Sequence, residues 1–328
     1  MNKYLVVALC VVLASIIIGA IISAIFYQRK SSVPQIKFQV PLQDPKISQF
    51  VAAENNVWFT NSIVNTIVCF EKESGKIVKQ LNNSLYNFDF PYGLAFDGVN
   101  IWVTNPRNNS ITIFRESDGE LVKNITDNLD EPIGICYDSI NKKMWVTNAD
   151  KIIYYSSLNF NELGYIKDIN YINRPGSIIF DGTRIWFINQ QLFVTGINVS
   201  QLDSKNFLKL DSIEYKFEGS RNLCYDGKKI WVTNEANNSI TCFEAKSGIF
   251  INNLDDELDS PVGITYDGKN ICVTNQGKNT ITFYNSETEE LYLKLEVTTK
   301  DDKMTESILY SDNMIFASTS KSFVGLKI

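Results

Sequence analysis

Pro91-Tyr92-Gly93-Leu94-Ala95-Phe96-Asp97-Gly98, then Ile101-Trp102-Val103-Thr104-Asn105, then Asn109-Ser110-Ile111-Thr112-Ile113-Phe114, is the phrase that organises this chain. It returns as Pro132-Ile133-Gly134 with Trp145-Val146-Thr147-Asn148, as Trp231-Val232-Thr233-Asn234 with Asn238-Ser239-Ile240-Thr241, and as Pro261-Val262-Gly263 with Cys272-Val273-Thr274-Asn275. Weaker copies are Trp58-Phe59-Thr60-Asn61, Trp186-Phe187-Ile188-Asn189 and Phe316-Ala317-Ser318-Thr319. The marker position falls at 58, 102, 145, 186, 231, 272 and 316, so the spacings are 44, 43, 41, 45, 41 and 44 residues. Seven copies of one unit predict a single closed array rather than two unrelated domains.

Within a copy the pattern is that of strands. Short runs of Ile, Val, Thr, Phe and Tyr are broken by Asp97-Gly98, Asp181-Gly182, Asp226-Gly227 and Asp267-Gly268, and by Ser74-Gly75, Asp118-Gly119 and Ser247-Gly248. Such dipeptides suit hairpin turns, where central residues need positive φ. Four strands in about 43 residues predict an all-β seven-bladed β-propeller of four-stranded antiparallel blades over residues 47–328. A two-helix repeat of this length would show 3.6-residue periodicity instead. The repeated Trp-Val-Thr-Asn resembles the YVTN and NHL class of propeller repeats. That resemblance implies the fold and leaves function open, since such propellers serve as scaffolds, binding modules and enzymes. The seventh copy stops one strand short, and Ile36-Lys37-Phe38-Gln39-Val40 is a strand-like orphan ahead of the first copy. It is expected to complete the seventh blade as its outer strand, within a linker spanning 31–46.

Residues 1–30 are different in kind. No charge occurs from Tyr4 to Tyr27, and at ~1.5 Å per residue a helix of that length crosses a ~30 Å hydrocarbon core. The apolar run is longer than a cleaved signal needs, so one transmembrane anchor in the bilayer through residues 4–27 is expected ahead of the propeller. Lys3 on one side and Arg29, Lys30 and Lys37 on the other leave its orientation open.

Composition narrows the chemistry. The 328 residues contain no histidine, which removes Ser-His-Asp and Cys-His catalysis and His-ligated metals. A net charge of −6 with scattered Lys and Arg argues against a nucleic-acid partner. Cys69, Cys136, Cys224, Cys242 and Cys272 fall inside strands without CxxC spacing and read as small buried hydrophobes; Cys10 lies in the anchor. The repeated tryptophans read as packing between blades, and the repeated Asn61, Asn105, Asn148, Asn189, Asn234 and Asn275 as turn caps, because a catalytic residue is needed once and a cap in every blade.

Strand order places Pro-x-Gly and the loop after Thr-Asn at the top of the ring, and the Asp-Gly and Ser-Gly hairpins at the bottom. Top residues that differ between copies are the candidate binding set: Tyr92, Pro106, Arg107, Asp150, Arg174, Gln190, Gln191, Arg221, Glu235 and Gln276. Five sequons begin at Asn82, Asn108, Asn124, Asn198 and Asn237, about as many as a chain this rich in Asn, Ser and Thr carries by chance; they would accept glycans if the propeller is lumenal or extracellular. With no catalytic set, cofactor or metal site legible in chain order, the expectation is a membrane-anchored, non-enzymatic platform for a protein or glycan partner. The alternative is a lactonase-like propeller hydrolase or lyase with a carboxylate-bound divalent metal in the central channel.

Overall fold

The computed structural model describes residues 34–43, 45–168, 170–189, 193–199, 207–210, 219–297 and 302–328. The anchor expected over Tyr4 to Tyr27 lies outside them; among the described residues no helix is long and apolar enough to cross a membrane. The described strands form seven antiparallel sheets of four, a seven-bladed propeller. Blade 2 shows the plan, with strands Leu94–Phe96, Asn100–Asn105, Ser110–Arg115 and Leu121–Ile125. The first strands of successive blades, Ile47–Ala52, Leu94–Phe96, Ile135–Asp138, Pro175–Phe180, Ser220–Tyr225, Pro261–Tyr266 and Met304–Ser311, lie next to one another around a central channel.

The ring closes between chain ends. Gln35–Pro41 pairs antiparallel with Ser322–Lys327 and forms the outer strand of blade 7. Its Phe38 ring meets Phe323, Phe70 and Phe316, filling a groove left open by Gly325 and Gly75, where a Cβ atom would lie 2.3 and 2.5 Å from Phe38 carbons.

Each recurring residue has an assignable job. The Trp side chains at the second strand are fully buried in clusters shared with the neighbouring blade. In blade 2, Asp97 accepts hydrogen bonds at Oδ1 from the backbone N–H groups of Val99 (2.9 Å) and Asn100 (2.7 Å), and at Oδ2 from the indole of Trp102 (2.7 Å). Asp181 with Trp186 and Asp226 with Trp231 repeat this arrangement. Only the glycine of each Asp-Gly pair has positive φ, as at Gly98 (+98°). The aspartate therefore serves as a hydrogen-bond acceptor that closes the turn and satisfies the indole, not as a left-handed residue. In blade 3 the turn is two residues longer, Asp138 bonds Asn141 instead, and the indole N–H of Trp145 has no hydrogen-bond partner among the described residues.

The threonine of Trp-Val-Thr-Asn joins blades. Thr104 Oγ1 accepts from the N–H of Gly93 at 2.9 Å in its own blade and donates to the carbonyl of Ile133 in the next at 2.7 Å. Thr60, Thr147 and Thr233 make the same bridge to Tyr92, Gly176 and Val262. Glycine is needed beside it for clearance: a Cβ on Gly93 would sit 2.4 Å from the carbonyl oxygen of Ile133. The asparagines are buried caps, Asn61, Asn148, Asn189 and Asn275 each accepting a backbone N–H from the incoming connection.

Candidate functional site

The latch threonines fix which residues face the channel. In the register they set, the residue just before the N–H that bonds the latch is Ser48, Tyr92, Ile133, Arg221 and Val262 in blades 1, 2, 3, 5 and 6; in blade 4 Ile188 stands at the latch position, and the pairing of Pro175 with Asn189 puts Gly176 at the same level. In blade 7 Ser318 takes the place of the threonine, bonds Ser307, and so puts Glu306 at the same level. One residue of each blade thus stands at this level, and three of the seven are ionisable: Tyr92, Arg221 and Glu306.

All three line a cavity of about 840 Å³ that occupies the channel, together with Gln49, Glu131 and Arg174. The three are electrostatically coupled. Burial pushes the Tyr92 phenol up to about 12, the negative charge of Glu306 adds to this, and Arg221 opposes it. The phenol therefore stays protonated at neutral pH and is available as a hydrogen-bond donor. At the rim Arg221 is ion-paired with Glu235, and Arg174 with Glu131 at 3.1 Å. Glu131 and Arg174 immediately precede the prolines of blades 3 and 4, and both hold left-handed backbone (φ +47° and +46°).

A second cleft of about 560 Å³ opens off the mouth between blades 2 and 3, lined by Phe90, Pro106, Arg107, Asn109, Asp130 and Glu131, and it shares Tyr92, Glu131 and Ile133 with the channel. Of the residues expected at the top, Tyr92, Arg174 and Arg221 thus reach the channel, while Pro106 and Arg107 line the side cleft. Glu235 acts only through Arg221. Asp150 is ion-paired with Lys167, a hydrogen bond that lowers its carboxyl, and Gln276 bonds Ser260 through its backbone; neither lines a cavity described above. Gln190 and Gln191 lie outside the described residues. Among the sequons, Asn82 caps the short helix Asn83–Tyr86, Asn108 donates to the carbonyl of Asn87, Asn124 and Asn198 sit in strands, and Asn237 follows Glu235 and Ala236 in a top loop.

Glu306 was not legible as a channel residue. The seventh copy lacks Pro-x-Gly, and its first strand carries four steps from Met304 to Ile308 against two on its partner, where other blades carry three against two. Counting from the Ser318 latch would have located it.

The fold and its channel define a seven-bladed propeller with an acid, a cation and a neutral phenol inside the ring. No family model and no curated protein sequence matches the chain. It is similar in structure to a streptogramin B lyase (TM-score 0.74, 18% identity, covering 88% of this chain and 96% of that one). It is similar also to the virginiamycin B lyase of Staphylococcus aureus. One structure of that lyase is a catalytically inactive variant, with a histidine changed to alanine, together with quinupristin (TM-score 0.75, 19% identity, 90% and 100% coverage). Another is the selenomethionine-substituted protein (TM-score 0.74, 18% identity, 90% and 99% coverage).

These neighbours overturn the expectation of a non-enzymatic platform, because the propellers this chain is similar to are enzymes. The channel draws its ionisable residues singly from separate blades, so they form no cluster in chain order. The metal half of the enzymatic alternative does not fit. Among the described residues no group of three or more Asp, Glu or Cys side chains could hold an ion, and of the channel carboxylates Glu131 is already engaged by Arg174.

Proposed function

We propose that this chain is a propeller lyase or hydrolase of YVTN/NHL type acting on a small molecule bound in the channel, tethered to a bilayer through residues 4–27. The observation that carries the reading is the convergence of Tyr92, Arg221 and Glu306 at one level of the cavity. The lyases of similar fold support it, and the chemistry must differ from theirs in one respect: the inactive variant marks a histidine as essential there, and this chain has none. Glu306 is the one channel carboxylate not held in an ion pair among the described residues, so it serves as general base. In an elimination, its carboxylate takes a proton from carbon, the bond to the leaving oxygen breaks, and that oxygen collects the Tyr92 phenolic proton. Proton return from Glu306 to Tyr92 restores both groups. Arg221 stabilises the negative charge that develops between these events.

Mass spectrometry of streptogramin B compounds, quinupristin first, and of other cyclic esters incubated with the protein tests this. Elimination within a ring leaves the mass unchanged and hydrolysis adds one water. Glu306→Gln should slow turnover by about 10²-fold or more, the ordinary worth of a positioned base. Equal rates would refute the base assignment, and no consumption of any compound would refute the enzymatic reading.

A further inference from the structure

The side cleft is lined by one cation, Arg107, and a second, Lys46, lies against the Phe90 ring that forms its wall. Arg107 lies over the Phe90 ring at 4.4 Å from its centroid and Lys46 over the same ring at 5.5 Å. Among the described residues neither side chain forms an ion pair or a side-chain hydrogen bond. Both cations lining the channel cavity are neutralised, Arg174 by Glu131 and Arg221 by Glu235. Phe90 itself is fixed: its backbone is left-handed (φ +55°) and its N–H donates to Asn65 at 2.8 Å. The carboxylates facing this wall are Asp130 and Glu131 across the cleft and Asp89 beside Phe90 in the chain. None of the three meets Arg107 or Lys46 in an ion pair.

We propose that this cleft is a subsite for a planar organic carboxylate, and that the substrate of the channel carries such a group. The guanidinium offers paired N–H donors matching a carboxylate edge, Lys46 against the Phe90 ring adds to the positive potential of that wall, and Phe90 with Pro106 forms an apolar wall for the flat remainder. The shared walls at Tyr92, Glu131 and Ile133 make the cleft continuous with the channel, so a group seated here delivers the adjoining bond to the ring of Tyr92, Arg221 and Glu306. The substrate half of this inference rests on the enzymatic reading above; the binding half does not.

Calorimetric titration of the full chain with benzoate, benzamide and inorganic phosphate tests it. Benzoate should bind with Kd near ~1 mM, the scale for a ligand of so few atoms, and benzamide and phosphate about tenfold more weakly or worse. Arg107→Gln and Phe90→Leu should each weaken benzoate about tenfold, while Glu306→Gln binds it as wild type does. Equal affinity for benzoate and benzamide, equal affinity for phosphate, absence of benzoate binding, or an Arg107→Gln protein that binds unchanged each overturns the subsite. Turnover abolished in no variant but benzoate binding intact would sink the channel chemistry and leave the subsite standing.

Discussion

Thr104→Val tests the latch that aligns the channel wall. The hydroxyl is fully buried and satisfies two backbone groups, the N–H of Gly93 at 2.9 Å and the carbonyl of Ile133 at 2.7 Å. Valine keeps the shape and removes both bonds. An orphaned buried group costs about 1–3 kcal/mol. The Gly93 N–H is enclosed and bears that in full, whereas Ile133 borders the channel cavity and its carbonyl is open to replacement by water. Against this, the added methyl contributes about 1 kcal/mol of apolar burial. The net expectation is a loss of up to about 2 kcal/mol, or a fall of up to roughly 8 °C in Tm for a domain of this size. Thr104→Ser is the control, since it keeps the hydroxyl and loses one methyl, costing about 1 kcal/mol. Thermal unfolding followed by circular dichroism compares them, and hydrogen exchange at the Gly93 amide should accelerate in the valine variant. A valine variant as stable as the serine one, with that amide still protected, would show that packing alone holds the seam between blades 2 and 3.

The Asp-Gly turns, the closure strand and the buried phenol give three further tests. Asp97→Ala removes acceptors for Val99, Asn100 and Trp102 at once and should cost about 2–4 kcal/mol by denaturant unfolding; a loss under ~1 kcal/mol would contradict the triple role. Phe38→Ala empties a groove walled by Gly75, Gly325 and Phe323 and should lower stability by about 2–4 kcal/mol, with limited proteolysis releasing the N-terminal strand first; unchanged proteolysis would refute closure by that ring. Tyr92 keeps its proton to about 12 when folded and to about 10 when unfolded, so its contribution is complete below pH 10 and is lost as pH rises toward 12. Tyr92→Phe should therefore flatten the decline of stability across pH 10–12, and an identical decline in both proteins would mean that the phenol ionises as freely folded as unfolded.

What the sequence determined by itself is the repeat and everything that recurs with it. Trp-Val-Thr-Asn, Pro-x-Gly and Asp-Gly return because a blade buries an aromatic against its neighbour, admits a close backbone approach and closes a hairpin, and these are local needs written again from copy to copy. The orphan strand at 36–40 was legible for the same reason, as the piece missing from the count. The site obeys the opposite logic. Tyr92 and Arg221 stood out as non-repeating residues at a repeating position, but Glu306 hid behind a bulge in a copy without Pro-x-Gly. Lys46 and Arg107 stand 61 positions apart in the chain and meet only at the Phe90 ring. A blade is specified by neighbours in sequence, whereas the channel is specified by residues about 43 positions apart, or many multiples of that, which the closure of the ring alone brings to one level.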